Sequence, residues 1–174
     1  MGKAILGIIL GGVIAHAWGA LSWMVLPFHS DTIHSFPDEK KLIAFAEETF
    51  KERGVYYSPQ PSEGSMQKAG PRIFASYHPG PDTPSMGMLI VRALSANLIC
   101  AVIIGILLSA AAPRLNFIGR LFFVTMIGAF AAIAGVYPNN IWWEFPNLFT
   151  SLAMLDLVIG WFLAGIAMAA LIRG

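Results

Sequence analysis

Three groups of residues in this chain have side chains that could do chemistry. The first is His29-x-Asp31-x-x-His34, with His78 further along. Imidazole and carboxylate ligands together suit zinc or copper. Their spacing matches no established metal signature, and an ordinary polar turn accounts for the same residues, so the reading favours no cofactor. The second group, His16, Arg92, Asn97 and Asp156, lies inside long apolar runs. Ionisable groups in such runs are costly in a bilayer and face the bundle interior with partners. An Arg92–Asp156 ion pair is the structural reading. A proton or ion path through Asp156, with His16 as relay, is the functional one. The third group is Trp142-Trp143-Glu144-Phe145. It reads as an interfacial anchor or, because Trp dominates binding hot spots, as a partner-binding surface. No catalytic residues stand out: there is no Ser-His-Asp order, phosphate-cradling glycine loop or carboxylate pair. A single intramembrane histidine excludes a bis-histidine haem within one chain.

Four apolar stretches must position these groups: Ala4–Leu26, Met88–Ala112, Leu121–Tyr137 and Leu148–Ile172. Each is long enough, or nearly so, to cross a hydrocarbon core of about 30 Å. The chain has 174 residues, 56% hydrophobic and 12% charged, about half the charge of a soluble domain. There is too little polar surface to cover such a core in water. A net charge of +1 gives no basic footprint, so nucleic acid is not a partner. The one cysteine, Cys100, excludes an internal disulfide and CxxC redox chemistry. Ala15-His16-Ala17 resembles a signal-peptide cleavage site, but the apolar run of 23 residues is a full span and exceeds a signal core.

Basic residues orient the spans. Lys3, Arg114, Arg120 and Arg173 flank them on one side with no acid nearby, which marks that side as cytoplasmic. Both termini are then inside, and Trp23, Tyr137, Trp142 and Trp143 form an outer aromatic belt. Pro27, Pro113, Pro138 and Pro146 read as helix ends. The third span is short, 17 residues between Arg120 and Pro138, with Arg120 snorkelling to extend it. Counted from the inner ends at 1.5 Å per residue, His16, Asn97, Asp156 and Arg92 sit at depths of ~18, ~22, ~24 and ~30 Å. Gly7-xxx-Gly11, Ala101-xxx-Gly105-xxx-Ser109, Gly128-xxx-Ala132 and Gly160-xxx-Ala164 permit close helix approach. Packing within the bundle is the plainer use of these, a homodimer seam the sharper one.

The long outer loop has parts of its own. Asp38–Arg53 reads as an amphipathic helix with Leu42, Phe45, Ala46 and Thr49 on one face and Gly54 as its C-cap. Val55–Tyr57 and Arg72–His78 read as strands, Ser58–Gly70 as a flexible loop and Pro79–Met86 as a rigid linker.

Trp23-Met24-Val25-Leu26-Pro27-Phe28-His29, Gly54-Val55-Tyr56-Tyr57 and Trp142-Trp143-Glu144-Phe145-Pro146 resemble an uncharacterised family of small bacterial four-helix integral membrane proteins. The resemblance implies a bacterial inner-membrane location and no particular activity.

The expected fold is membrane α-helical: a four-helix transmembrane bundle with a small α+β extracytoplasmic cap. Residues 1–26 form the first transmembrane helix, 27–87 the cap, and 88–174 transmembrane helices two to four. The favoured role is a non-enzymatic structural, assembly or accessory subunit of the bacterial inner (plasma) membrane, multi-pass with both termini cytoplasmic. Its partners would be the lipid bilayer and a membrane protein or a second copy of itself. The alternatives are a small proton- or ion-coupled transporter or channel, an extracytoplasmic metal-handling protein and an enzyme acting on lipid at the outer interface.

Overall fold

Near-unbroken apolar sequence makes long helices in this chain, and Ser85 and Asn116 cap two of them. The computed structural model describes residues 2–59, 71–80 and 83–173. They fall into two units, Met1–His34 with Ser85–Gly174, and Ser35–Pro84.

The larger unit is helical. Helix α1 spans Gly2–Met24. In the smaller unit helix α2 spans Glu39–Thr49. The chain returns to the bundle as α3, Met86–Ala111, whose N-cap Ser85 accepts from the Met88 N–H. Asn116 caps α4, Phe117–Ala131, by accepting from Gly119 N–H at 2.8 Å. Helix α5 spans Tyr137–Trp143 and α6 spans Asn147–Leu171. Among the described residues, four helical stretches are long and apolar enough to cross a membrane: Gly2–Met24, Met86–Arg114, Phe117–Trp143 and Asn147–Leu171.

The third stretch corrects the expectation of a short span ending at Pro138. It is 27 residues long and runs through the proline. Pro138 lacks an N–H, and its ring would clash with the carbonyl one turn back. The helix absorbs this in a π turn over Ala132–Val136, where the Tyr137 N–H reaches back to the Ala132 carbonyl. Arg120, expected to snorkel, turns into the protein. Its Nε donates to the Ala169 carbonyl at 3.0 Å and its Nη1 to the Leu115 carbonyl at 3.1 Å. The Ala169 carbonyl is one of the orphans at the end of α6, and a cation there also meets the negative end of the helix dipole.

Helix α6 packs on α1 and on α4, while α3 packs mainly on α1 and touches α4 only lightly. Glycine notches set the registers. A Cβ on Gly11 would lie 2.7 Å from the Met168 side chain. One on Gly128 would meet Trp161 Cβ at 2.8 Å and the Leu157 backbone oxygen at 3.0 Å. Both notches face helices of the same chain, so these small residues serve packing within the bundle. Along the α1–α6 seam, Gly7 faces Ile172, Gly11 faces Met168, Trp18 faces Gly160 and Ser22 faces Asp156. Each turn up α1 matches one turn down α6, so the two helices are antiparallel. The same logic pairs Gly105 with Ile8 and Gly165 with Leu121 and Val124. Lys3, Arg114, Arg120 and Arg173 therefore share one end of the bundle, while Ser22, His29 and the start of α6 occupy the other. Between them lies a core that includes Ile104, Leu108, Val124, Trp161 and Met168.

The smaller unit holds α2 and a two-stranded antiparallel sheet, β1 (Gly54–Ser58) with β2 (Ile73–Tyr77). Tyr56 pairs with Ala75, and Gly54 with Tyr77. Helix α2 stops at Thr49, four residues before the expected end, because Phe50 turns extended and packs its ring on Tyr56 and Tyr77. Gly54 thus opens a strand instead of capping the helix. Asp38 is the N-cap, accepting from the Lys41 N–H. Most of the expected loop Ser58–Gly70, and part of the linker Pro79–Met86, lie outside the described residues.

Candidate functional site

The α1–α6 seam ends on three polar side chains. Ser22 Oγ donates to Asp156 Oδ1 at 2.6 Å. His29 Nε2 lies 2.6 Å from Asp156 Oδ2 and 3.2 Å from Ser22 Oγ. Ser22 and His29 are buried, His29 to 1% exposure, and the Asp156 side chain retains 11%.

His29 reaches this position because the chain after α1 doubles back. Leu26 N–H bonds to the Leu21 carbonyl, and Asp31 N–H to that of Pro27. Ser30 Oγ donates to the Pro27 carbonyl at 2.6 Å and Thr32 Oγ1 to the His29 carbonyl at 2.8 Å, which closes a 3₁₀ turn over Ser30–Thr32. The imidazole is then covered by Trp23, stacked at 3.9 Å between centroids and 11° between planes, and flanked by Phe28 at 5.0 Å. Phe149 of α6 sits edge-on to Trp23.

A carboxylate only accepts, so the His29 nitrogen facing it carries the hydrogen. His29 Nδ1 is buried with no partner. A hydrogen there would leave a donor unsatisfied as well, so the Nε2–H tautomer fits the site. In that form the imidazole is neutral and the carboxylate keeps its charge. The order differs from a hydrolytic triad. There histidine bridges the serine and the acid; here the carboxylate bridges, and the serine hydroxyl is committed to it.

Helix α3 stands off from α6, and the gap is a cavity of about 320 Å³. Asp156, Asn97, Trp23, Trp161 and Val136 line it. Val136 belongs to the π turn of α4, and π turns recur at functional sites. A neighbouring cavity of about 390 Å³ is lined by His16, Asn97 and Trp23.

The four polar residues expected to cluster are thus divided. Asn97 borders both cavities, His16 only the second and Asp156 only the first. Asn97 Nδ2 donates to its own helix, at Ala93 O. The expected Arg92–Asp156 pair is replaced: the hydrogen-bond partner of Asp156 is His29, and Arg92 is exposed. The physical cause is that α3 packs on α1 and not on α6, so depth alone does not bring Arg92 to Asp156.

Nor is a metal-holding group found from the outer residues His29, Asp31, His34 and His78. Among the described residues no three of His, Cys, Asp and Glu come together as a metal ion requires. His29 is drawn inward, while Asp31, His34 and His78 are exposed. In the aromatic group, Trp142 is 66% exposed at the end of α5. Glu144 takes a left-handed conformation, φ 55°, that ends α5. Asn140 Nδ2 secures the turn by donating to Phe145 O at 2.7 Å and Asn147 Oδ1 at 2.8 Å, and Phe145 packs edge-on to Phe149.

Ser22 is the member of the site that charge-counting overlooks. A hydroxyl within an apolar span is a weak signal, and its pairing depends on the register with α6. Trp23, read as a belt residue, is also the cover of His29.

The chain matches no protein-family model, and no curated protein and no solved structure matches it either.

Proposed function

We propose that this chain is a multi-pass protein of a bacterial inner membrane, both termini cytoplasmic, acting as a non-enzymatic structural, assembly or accessory subunit. One observation carries this reading: Ser22, His29 and Asp156 are committed to one another under Trp23, with His29 sealed from any substrate. Such an arrangement ties the loop after α1 to α6 and holds a shape. The orientation is supported by the gathering of Lys3, Arg114, Arg120 and Arg173 at one end. Trp142 offers a rigid apolar contact to a membrane-protein partner or a second copy.

A photoreactive residue at position 142, activated in cells, tests the role. A discrete protein adduct supports it, and adducts with lipid alone overturn it. Orientation is tested in a Cys100→Ser background with cysteines at Glu47 and Asn116. An impermeant thiol reagent should reach position 47 and not 116 in intact cells.

A second reading, a proton-coupled transporter, is favoured by the cavity beside the Asp156 carboxylate. Proton flux in proteoliposomes that vanishes in a folded Asp156→Asn variant would support it over the first.

A further inference from the structure

The cavity beside Asp156 has a lining that selects by charge as well as by shape. Its walls are apolar residues of α1, of α6 and of the π turn after α4, with Trp23 and Trp161 among them. Its polar groups are the Asp156 carboxylate and the Asn97 amide, and no lining side chain is cationic. Asn97 donates one Nδ2 hydrogen to Ala93 O, and its amide oxygen can accept from a ligand. The carboxylate is nearly buried yet retains 11% exposure. Its neighbours Ser22 and His29 donate hydrogen bonds, and with His29 in the Nε2–H form they add no charge. A carboxylate in apolar surroundings that is not offset by a cation is costly, and a cation in contact with it removes that cost. Trp23 spends one ring face on His29, and a tryptophan face attracts a cation where it is open. A volume of about 320 Å³ suits a small organic molecule, at the lower end of ligand pockets.

We infer that this cavity is a binding site for an ammonium group carried on a compact apolar body, with Asp156 as its counter-ion, Asn97 as a second acceptor and Trp23 and Trp161 as its walls. The inference does not depend on whether the chain is an accessory subunit or a transporter. The ammonium could belong to a free amine or to an ethanolamine lipid headgroup, and the chemistry of recognition is shared.

The test is calorimetric titration of the purified full chain in dodecyl maltoside with cyclohexylmethylamine, and with cyclohexylmethanol as its neutral counterpart. Saturable binding of the amine, at least tenfold tighter than the alcohol, is expected. Asp156→Asn should weaken the amine at least tenfold and leave the alcohol unchanged. Should that variant fail to fold, Gly19→Leu serves independently. Gly19 lines the cavity, and a Cβ there meets nothing within 4 Å, so a larger side chain has open space to enter. It should abolish binding of the amine while thermal stability is kept. Repeating the wild-type titration with added phosphatidylethanolamine identifies the source: a loss of apparent affinity assigns the site to the lipid headgroup, and no change assigns it to a soluble amine. Equal binding of amine and alcohol, undiminished binding in Gly19→Leu, or no saturable binding by the wild type would overturn the proposal.

Discussion

His29 and Asp156 are 127 residues apart in the chain and 2.6 Å apart in space. One follows the first helix and the other lies within the last, so their pairing closes the bundle across its α1–α6 seam. Ser22 occupies the second carboxylate oxygen, and all three side chains depend on the register that the glycine notches of α1 and α6 impose.

Removing one partner of a hydrogen bond to a buried charged group costs roughly 1.5–3 kcal/mol. His29→Ala and Asp156→Asn should each lower thermal stability in detergent, and the double variant should lose less than their sum. A double-mutant cycle measures the coupling, and strictly additive losses would dissolve the pair. Arg92→Gln, by contrast, should change stability by less than about 0.5 kcal/mol and should not rescue Asp156→Asn.

Close helix approach makes a separate case. A Cβ on Gly128 meets Trp161 Cβ and a backbone oxygen of α6, neither of which can swing aside. Gly128→Ala should destabilise by about 1–3 kcal/mol through overpacking. Gly19→Ala meets open space and should be neutral or slightly stabilising, since alanine favours helix. Urea or thermal unfolding of the two variants side by side checks the contrast.

Arg120 joins α4 to the last turn of α6 through the Ala169 carbonyl and braces the link before α4 through the Leu115 carbonyl. Hydrogen bonds from a charged donor contribute roughly 1.5–3 kcal/mol each. Arg120→Met should therefore lower stability, and Arg120→Lys should recover only part of it, because an ammonium lacks the planar fork that reaches both acceptors. Hydrogen exchange localised to the end of α6 is the informative readout; loss spread evenly over the chain would count against the link.

Asp38 gives the smaller unit a pH dependence. Its carboxyl is held below the usual carboxylate range by the Lys41 ammonium and then by the Lys41 N–H. A depressed folded value means that the group stabilises α2 above the ordinary aspartate range and that this contribution disappears as pH falls through the folded value. Carboxyl titration by NMR should place the Asp38 midpoint below that of an unstructured aspartate. Asp38→Asn keeps a capping oxygen and should remove the part of the pH dependence that Asp38 supplies.

Much of the architecture is legible in local sequence. Long apolar runs mark four helices because hydrophobicity is a sum over neighbours and needs no partner to be read. Aromatic and β-branched residues between Gly54 and Tyr77 mark the two strands for a similar reason, and Lys3, Arg114, Arg120 and Arg173 mark one end of the bundle by position alone. Tertiary structure decided what depth and residue type leave open. Pro138 reads as a helix end, yet a π turn at Ala132–Val136 absorbs it and carries the helix on to Trp143. Phe50 shortens α2 because its aromatic partners lie on strands that follow it. Arg92 and Asp156 are close in depth but sit on helices that do not pack together, whereas His29 folds back from outside the span to meet the carboxylate. Pairing across a bundle is set by which helix faces which and at what register, and those follow from glycine notches meeting side chains on other helices, for α1 and α6 more than a hundred residues away.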